Sequence, residues 1–271
     1  MDATDILPSV EKVYQYLLAA SFAFSRILGV MIVMPSFTRL GVTTVVRSGI
    51  ALTLSLPLVP MLVGSLATGR LSVATMGALL FKETAVGILV GLVLGVPLWA
   101  AEAAGDIVDL QRGASLTSLF DPEGTNESSI AGTLLGLAMV AVYYGSGGLF
   151  VTLRTLYDSY GIWPIDRFLP LSGPDAGLLL LRLLDDVATM GLMLVAPIVI
   201  CLFLADILLA LVSRAAPHLN VFALSLAVKN LAFAILMVLY GTFLAGYMGK
   251  DLGTLLGATE QLMRLGGVKD H

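Results

Sequence analysis

Residues 178–212 read LLLLRLLDDVATMGLMLVAPIVICLFLADILLALV, a run whose length excludes an ordinary soluble helix. As a helix it would extend about 50 Å at 1.5 Å per residue, against a hydrocarbon core of about 30 Å. Pro197 lies inside it. Lacking an N–H and crowding the preceding turn, this proline predicts a kink or break near residue 193. The run therefore belongs to a membrane protein, and to one whose helices are longer than a simple crossing requires.

The rest of the chain agrees. Of 271 residues, 58% are hydrophobic and only 13% charged, and the mean hydropathy is +0.95. A soluble domain is nearer 45–50% apolar and about 25% charged. A stretch of roughly 20 apolar residues suffices to span a bilayer. Six stretches meet this, at about 14–34, 49–68, 73–100, 131–152, 178–212 and 221–247. Lipid offers no partners to backbone N–H and C=O groups, so each stretch should be helical. The expected fold class is an all-α membrane protein of about six long, partly kinked helices.

Between the stretches the sequence predicts connections at 35–48, 101–130, 153–177 and 213–220. The third helix can continue past Pro97 to about residue 110, and an amphipathic tail starts near 248. At the N-terminus Asp2, Asp5 and Glu11 outnumber Lys12, which argues for a retained first helix over a cleaved signal. Seven Lys and Arg residues fall on the N-terminal side of six spans and four on the other, which favours cytoplasmic termini. A net charge of −4 supplies no basic surface for nucleic acid.

Charges inside the apolar runs are the first candidates for function. Arg26, Lys82, Glu83, Arg182, Asp185, Asp186, Asp206 and Lys229 all lie within or at the edge of a span. Each costs about 2.5–3.5 kcal/mol at a helix centre if left to face lipid. Arg182 is placed to pair with Asp185 or Asp186 on one helix face. Asp206 and Lys229 flank the 213–220 turn at similar distances, which sets them at one depth as a pair. Such groups serve either as a proton or ion relay or as structural pairs. Gly87, Gly91 and Gly95 recur every four residues and leave one helix face bare. That face suits close helix packing within the chain or against another subunit.

Enzyme motifs are missing. Asp185 and Asp186 are sequence neighbours and point about 100° apart on a helix, so they cannot share a proton. His218 and His271 have no metal-ligand spacing with Cys201. Gly145, Gly147 and Gly148 lack the lysine of a phosphate loop. No cofactor or metal is expected. Residues 101–129, AEAAGDIVDLQRGASLTSLFDPEGTNESS, are long for a connection between helices and keep Leu116, Leu119 and Phe120 amid polar neighbours. Such a segment is either a solvated connection or one that plugs or lines a pathway.

AGDIVDLQRGAS at 104–115, followed by Asp121-Pro122, is also where a family likeness is most specific. Pro35, Arg47, Pro57 and Pro60 precede it, with Lys82-Glu83, Gly87 and Gly91. Ser159-Tyr160, Trp163-Pro164, Pro197, Asp206, Pro217-His218-Leu219-Asn220-Val221-Phe222 and Lys229 follow. In this order and spacing the chain resembles the T subunit of the bacterial type III secretion export apparatus, the SctT/FliR family. Gln111-Arg112-Gly113 and Trp163-Pro164 look more like its virulence branch than its flagellar one.

The resemblance implies a single export-gate membrane domain over residues 1–271, built of helical hairpins stacked with partner subunits in the inner membrane. The implied partners are the R and S gate subunits, the U switch subunit and unfolded proteins in transit. It implies no enzymatic activity. It further implies a plug-like segment at about 106–122, comprising Asp106, Asp109, Gln111, Arg112, Gly113, Leu116, Leu119, Phe120 and Pro122. Lys82, Glu83, Gly87, Gly91, Asp206 and Lys229 are the expected intramembrane charge and packing residues, and Pro217 and Asn220 the turn. The competing reading is a stand-alone secondary transporter that uses the intramembrane charges; the sequence lacks the internal repeat common in that class.

Overall fold

The structure, a computed structural model, describes residues 3–39, 41–64, 71–113, 129–166, 174–216, 218 and 220–253. Every regular element among them is helical: α1 (Ala3–Val33), α2 (Pro35–Thr38), α3 (Thr44–Ser55), α4 (Val59–Val63), α5 (Val73–Arg112), α6 (Ile130–Gly145), α7 (Gly148–Ile162), α8 (Pro174–Ala215) and α9 (Val221–Gly253). Five helical segments are long and apolar enough to cross a membrane, and the bent pair α6–α7 makes a sixth. The chain is thus an all-α membrane protein.

It divides into two compact units. The first takes the chain up to Gly95 together with Gly147–Leu181; the second takes Val96–Ser146 and Arg182–Gly253. The boundaries fall inside α5, beside Pro97, at the break between α6 and α7, and inside α8 between Leu181 and Arg182.

In the first unit α1 buries Leu18, Ala19, Phe22, Ala23, Ile27, Val30 and Met31, the three-to-four spacing of one helix face. Val10, Val13, Leu17 and Ile32 remain exposed on the same helix. Its buried face meets α5 at unusually short range. A Cβ added at Gly87 would collide with the Arg26 carbonyl oxygen, and one at Gly91 would lie 3.1 Å from Val30 Cα. From the other side, a Cβ at Gly29 would sit 3.0 Å from Ile88 N. The glycine face of α5 is therefore used within the chain, at least for Gly87 and Gly91.

In the second unit α8 buries Leu183, Leu194, Val195, Ile198, Leu202 and Leu209 along one stripe. Gly191 lets it approach the Ala100 carbonyl, 2.9 Å from where a Cβ would stand. Most of the remaining apolar surface of α8 and α9 is exposed, and only 6% of the α9 span is buried. Cys201 lies on the exposed part of α8.

Several boundaries differ from the sequence reading. The expected 49–68 span is Thr44–Val63, and Pro57 and Pro60 divide it into α3, a 3-10 turn at Leu56–Leu58, and α4. The expected 131–152 span breaks at Ser146–Gly147, where Gly147 takes φ +80°, a conformation that glycine adopts without steric cost. Residues 153–162, expected in a connection, complete α7, because Thr152, Thr155, Leu156, Ser159 and Tyr160 form its buried face. Hydropathy misses this helix, since half of that face is polar. Residues 101–112 are the last three turns of α5, so the third helix continues past Pro97 as expected, two residues beyond 110, and the polar connection begins later than residue 101. Pro197 does not break α8, which is helical throughout. Residues 248–253, expected at the start of the tail, close α9, and the rest of the tail lies outside the described residues.

Gly87→Ala should lower stability by about 1–3 kcal/mol, the usual cost of forcing extra atoms into a packed contact. Gly161→Ala, where a Cβ meets nothing within 4 Å, should not lower it. Denaturant unfolding of the two variants in detergent micelles tests this, and equal midpoints would contradict the packing.

Candidate functional site: two buried charge networks

The first network lies wholly in the first unit. Arg26 is presented by the buried face of α1 and Glu83 by α5, and neither has any exposed side-chain surface. Arg26 Nε donates to Glu83 Oε2 at 2.6 Å. Its Nη1 donates to Ser159 Oγ at 3.0 Å and its Nη2 to the Trp163 carbonyl at 2.8 Å. The guanidinium also lies 3.7 Å from the centre of the Tyr160 ring. Lys82 pairs with the other carboxylate oxygen, Glu83 Oε1, at 2.7 Å. It donates as well to the carbonyls of Pro164 at 2.6 Å and Ile165 at 3.3 Å.

One carboxylate thus serves two cations, and the surplus positive charge is met by carbonyl dipoles and an aromatic face. Carbonyls are available there because the chain leaves the helix after Ile162, so those oxygens have no intrahelical donor. A hydroxyl from the same helix, Tyr157, reaches the Leu54 carbonyl of α3 at 3.0 Å. The network joins α1, α5 and α7 together with the turn that follows α7.

The second network lies wholly in the second unit. Asp109 is buried near the C-terminal end of α5. Its Oδ1 accepts from Arg112 Nε at 2.7 Å. Its Oδ2 accepts from Ser129 Oγ at 2.7 Å and from the Ala131 N–H at 3.0 Å. Ser129 is the N-cap of α6, and its hydroxyl in turn accepts from Gly132 N at 2.7 Å. Arg112 donates to Asn230 Oδ1 at 3.3 Å and lies 4.4 Å over the Phe233 ring. Lys229 donates to the Gln111 carbonyl at 2.9 Å and pairs with Asp206 at 2.8 Å. Ser225 donates weakly to Asp206, at 3.4 Å.

The sequence candidates are distributed as follows. Lys82 and Glu83 belong to the first network; Asp109, Arg112, Asp206, Lys229 and the Gln111 carbonyl belong to the second. Gly87 and Gly91 are packing positions. Asp106 is exposed on α5. Gly113 ends α5 with φ +78° and donates to the Leu110 carbonyl at 3.2 Å. Asn220 starts α9, its side-chain oxygen accepting from Ala223 N at 3.2 Å. Leu116, Leu119, Phe120, Pro122 and Pro217 lie outside the described residues. Arg182 and Asp185 are exposed and Asp186 is half-buried, and Arg182 makes no ion pair with either aspartate among the described residues.

Sequence reasoning did not assign Ser129, Ser159, Tyr160 or Asn230 to these networks. Ser129 carried a usable signal, a serine directly before an apolar helical run. The others act through contacts at least 118 residues away in sequence, which no local pattern encodes.

No group of three metal-ligating side chains occurs among the described residues. An open groove of about 380 Å³ in the first unit is lined by Ala20, Ser21, Phe24, Ser48, Gly49 and Leu52, with no charged group. In both networks the charges are paired with one another and with backbone oxygens, and all but Asp206, whose side chain is 37% exposed, are largely buried. Their chemistry is that of helix fastening.

Glu83→Gln would leave two buried cations sharing no carboxylate. It should destabilise the protein by about 3–5 kcal/mol, the range for a broken buried pair. Asp206→Asn, at a side chain 37% exposed, should cost less than about 1 kcal/mol, the range of solvent-screened pairs. Unfolding midpoints in detergent decide between this ranking and one in which the two sites contribute alike.

Residues 17–255 match the family described as bacterial export proteins, family 1. The chain is 32% identical over 226 residues to Yop proteins translocation protein T of Yersinia pestis, covering 83% of this chain and 86% of that one. It is also 32% identical over 230 residues to surface presentation of antigens protein SpaR of Salmonella typhimurium, covering 84% and 85%. Similarity to the flagellar biosynthetic protein FliR of Bacillus subtilis is weaker, 27% over 161 residues, covering 59% and 62%. A match that takes in both charge networks and nearly all the described helices establishes that the chain belongs to the bacterial export proteins, family 1.

Proposed function

We propose that this chain is a non-enzymatic core subunit of the type III secretion export gate. In this reading it sits as a multi-pass protein in the bacterial inner membrane and forms, with the R and S subunits and in contact with the U switch subunit, the channel for unfolded substrate proteins. The observation that carries the reading is the continuous family match across residues 17–255. The greater identity to the Yersinia and Salmonella proteins than to FliR favours a virulence system.

Physical features support it. The α8 and α9 spans expose long apolar surfaces, only 22% and 6% buried, as expected of helices covered by lipid and by partner subunits. A secondary transporter would string its intramembrane charges along one path. Here most of them close into local networks whose members are already paired. Residues 106–122 are proposed as the plug. Its first part, 106–112, is helical and anchored, while Leu116, Leu119 and Phe120 supply apolar side chains of the kind that exclude water and ions at a constriction.

Two experiments test the proposal. The chain, co-expressed with the R and S subunits and purified through its own tag, should appear by native mass spectrometry as one copy in a stable hetero-oligomer. A stable particle of this chain alone, with no partner retained, would overturn the gate reading. Deleting residues 114–120 should leave that assembly intact while making membranes leaky to small ions. Unchanged membrane conductance in an assembled deletion would refute the plug role.

A further inference from the structure

We propose that Asp109 is a positioning residue that fastens the end of α5 to the start of α6 and, through Arg112, to α9. It thereby fixes the separation of the two points, Gly113 and Ser129, between which the chain leaves one helix and enters the next. The proposal rests on the plug reading for its functional consequence: the resting ion tightness of the channel depends on Asp109 and Ser129.

The geometry is divided between the two carboxylate oxygens. Oδ1 holds Arg112, one turn further along the same helix, at 2.7 Å. Oδ2 reaches 20 and 22 residues along the chain, to the Ser129 hydroxyl at 2.7 Å and the Ala131 N–H at 3.0 Å. The one proton of the Ser129 hydroxyl goes to Asp109, while the same oxygen accepts from Gly132 N at 2.7 Å. It cannot serve Asp109 from another position without uncapping α6. Negative charge beside the first turn of a helix is favourable, so Asp109 also suits the α6 N-terminus electrostatically.

The fastening extends to α9 by two adjacent grips. Arg112 reaches Asn230 at 3.3 Å and covers the Phe233 ring. Lys229 reaches the Gln111 carbonyl at 2.9 Å, an oxygen at the end of α5 that has no intrahelical donor. The last turn of α5 is therefore held at consecutive residues by consecutive residues of α9. Displacement of α9 would pull on the same turn that Asp109 ties to α6.

The test uses the assembled complex with its partner subunits. Spin labels at Leu110→Cys and Ile130→Cys, both exposed, with Cys201→Ser to remove the native thiol, report the separation by pulsed electron resonance. Membrane conductance to small ions is recorded on the same variants without labels. A single narrow distance and a tight membrane are expected for the parent and for Ser129→Thr, which keeps the hydroxyl. Loss of the narrow distance and loss of ion tightness are expected for Asp109→Ala and Ser129→Ala.

An unchanged distance in Asp109→Ala overturns the proposal outright. A broadened distance with a tight membrane, when the 114–120 deletion leaks, overturns the functional part and leaves the plug reading standing. A tight 114–120 deletion defeats the plug reading itself, and with it the functional consequence, while the distance measurement still decides whether Asp109 is the fastening. A merely destabilising substitution would lower the amount of complex but would not separate alanine from threonine at position 129.

Discussion

The constraint on which the structure depends is that an ionised group inside an apolar helix must be answered within a few ångströms. Glu83 meets it most fully. With no exposed surface, it has no water to solvate it, and its two oxygens are each taken by a cation, Arg26 at 2.6 Å and Lys82 at 2.7 Å. Neither cation could be satisfied by a neighbour on its own turn alone, so both draw in other elements. That requirement brings α1, α5 and α7 into one body. The glycine contacts then become intelligible: Arg26 lies in the segment where α1 nearly touches α5, and Gly87 meets the backbone of that same residue. Close approach and charge pairing are one arrangement.

The second unit follows the same rule with different means. Its charges balance within the group, two carboxylates against two cations, and they gather around the end of α5 and the start of α6. Helix ends carry unanswered carbonyl and N–H groups of their own, so Asp109 and Lys229 answer backbone and side chains together. In the first unit the charges organise the middle of a helix packing; in the second they organise a junction of termini. Each unit has its own solution, and α5 takes part in both, with Lys82 and Glu83 near one end and Asp109 and Arg112 at the other.

Much of this was legible in the sequence, and the rest failed for identifiable reasons. Length and apolarity gave the membrane class and the long helices. The position of Asp206 and Lys229 around a short turn gave their pairing, since two helices of a hairpin run at matched depth. Hydropathy failed at α7, whose buried face includes Thr152, Thr155 and Ser159; an averaging window reads such a helix as a connection. At residues 101–112 the helical continuation past Pro97 was legible, but Glu102, Asp106, Asp109 and Arg112 lowered the apolar signal and hid the burial of Asp109 and Arg112. Pro197 does not bring the break that was one of the two outcomes expected of it, since α8 is helical through it. The Ser159 and Trp163 partners of Arg26 were beyond reach, being set by tertiary packing over more than 130 residues of chain.

The bonds from Lys82 to Pro164 and Ile165, and from Arg26 to Trp163, all end on main-chain oxygens. A carbonyl is present whatever side chain the residue carries. These positions therefore register the path of the chain and not its composition. Replacing a side chain there leaves the acceptor in place, whereas inserting or removing one residue would move three acceptors at once. A scan by substitution would mark Arg26, Lys82 and Glu83 as sensitive and would be blind to these carbonyl contacts. Only a change in chain length would show that the turn after α7 is held as firmly as the charges that hold it.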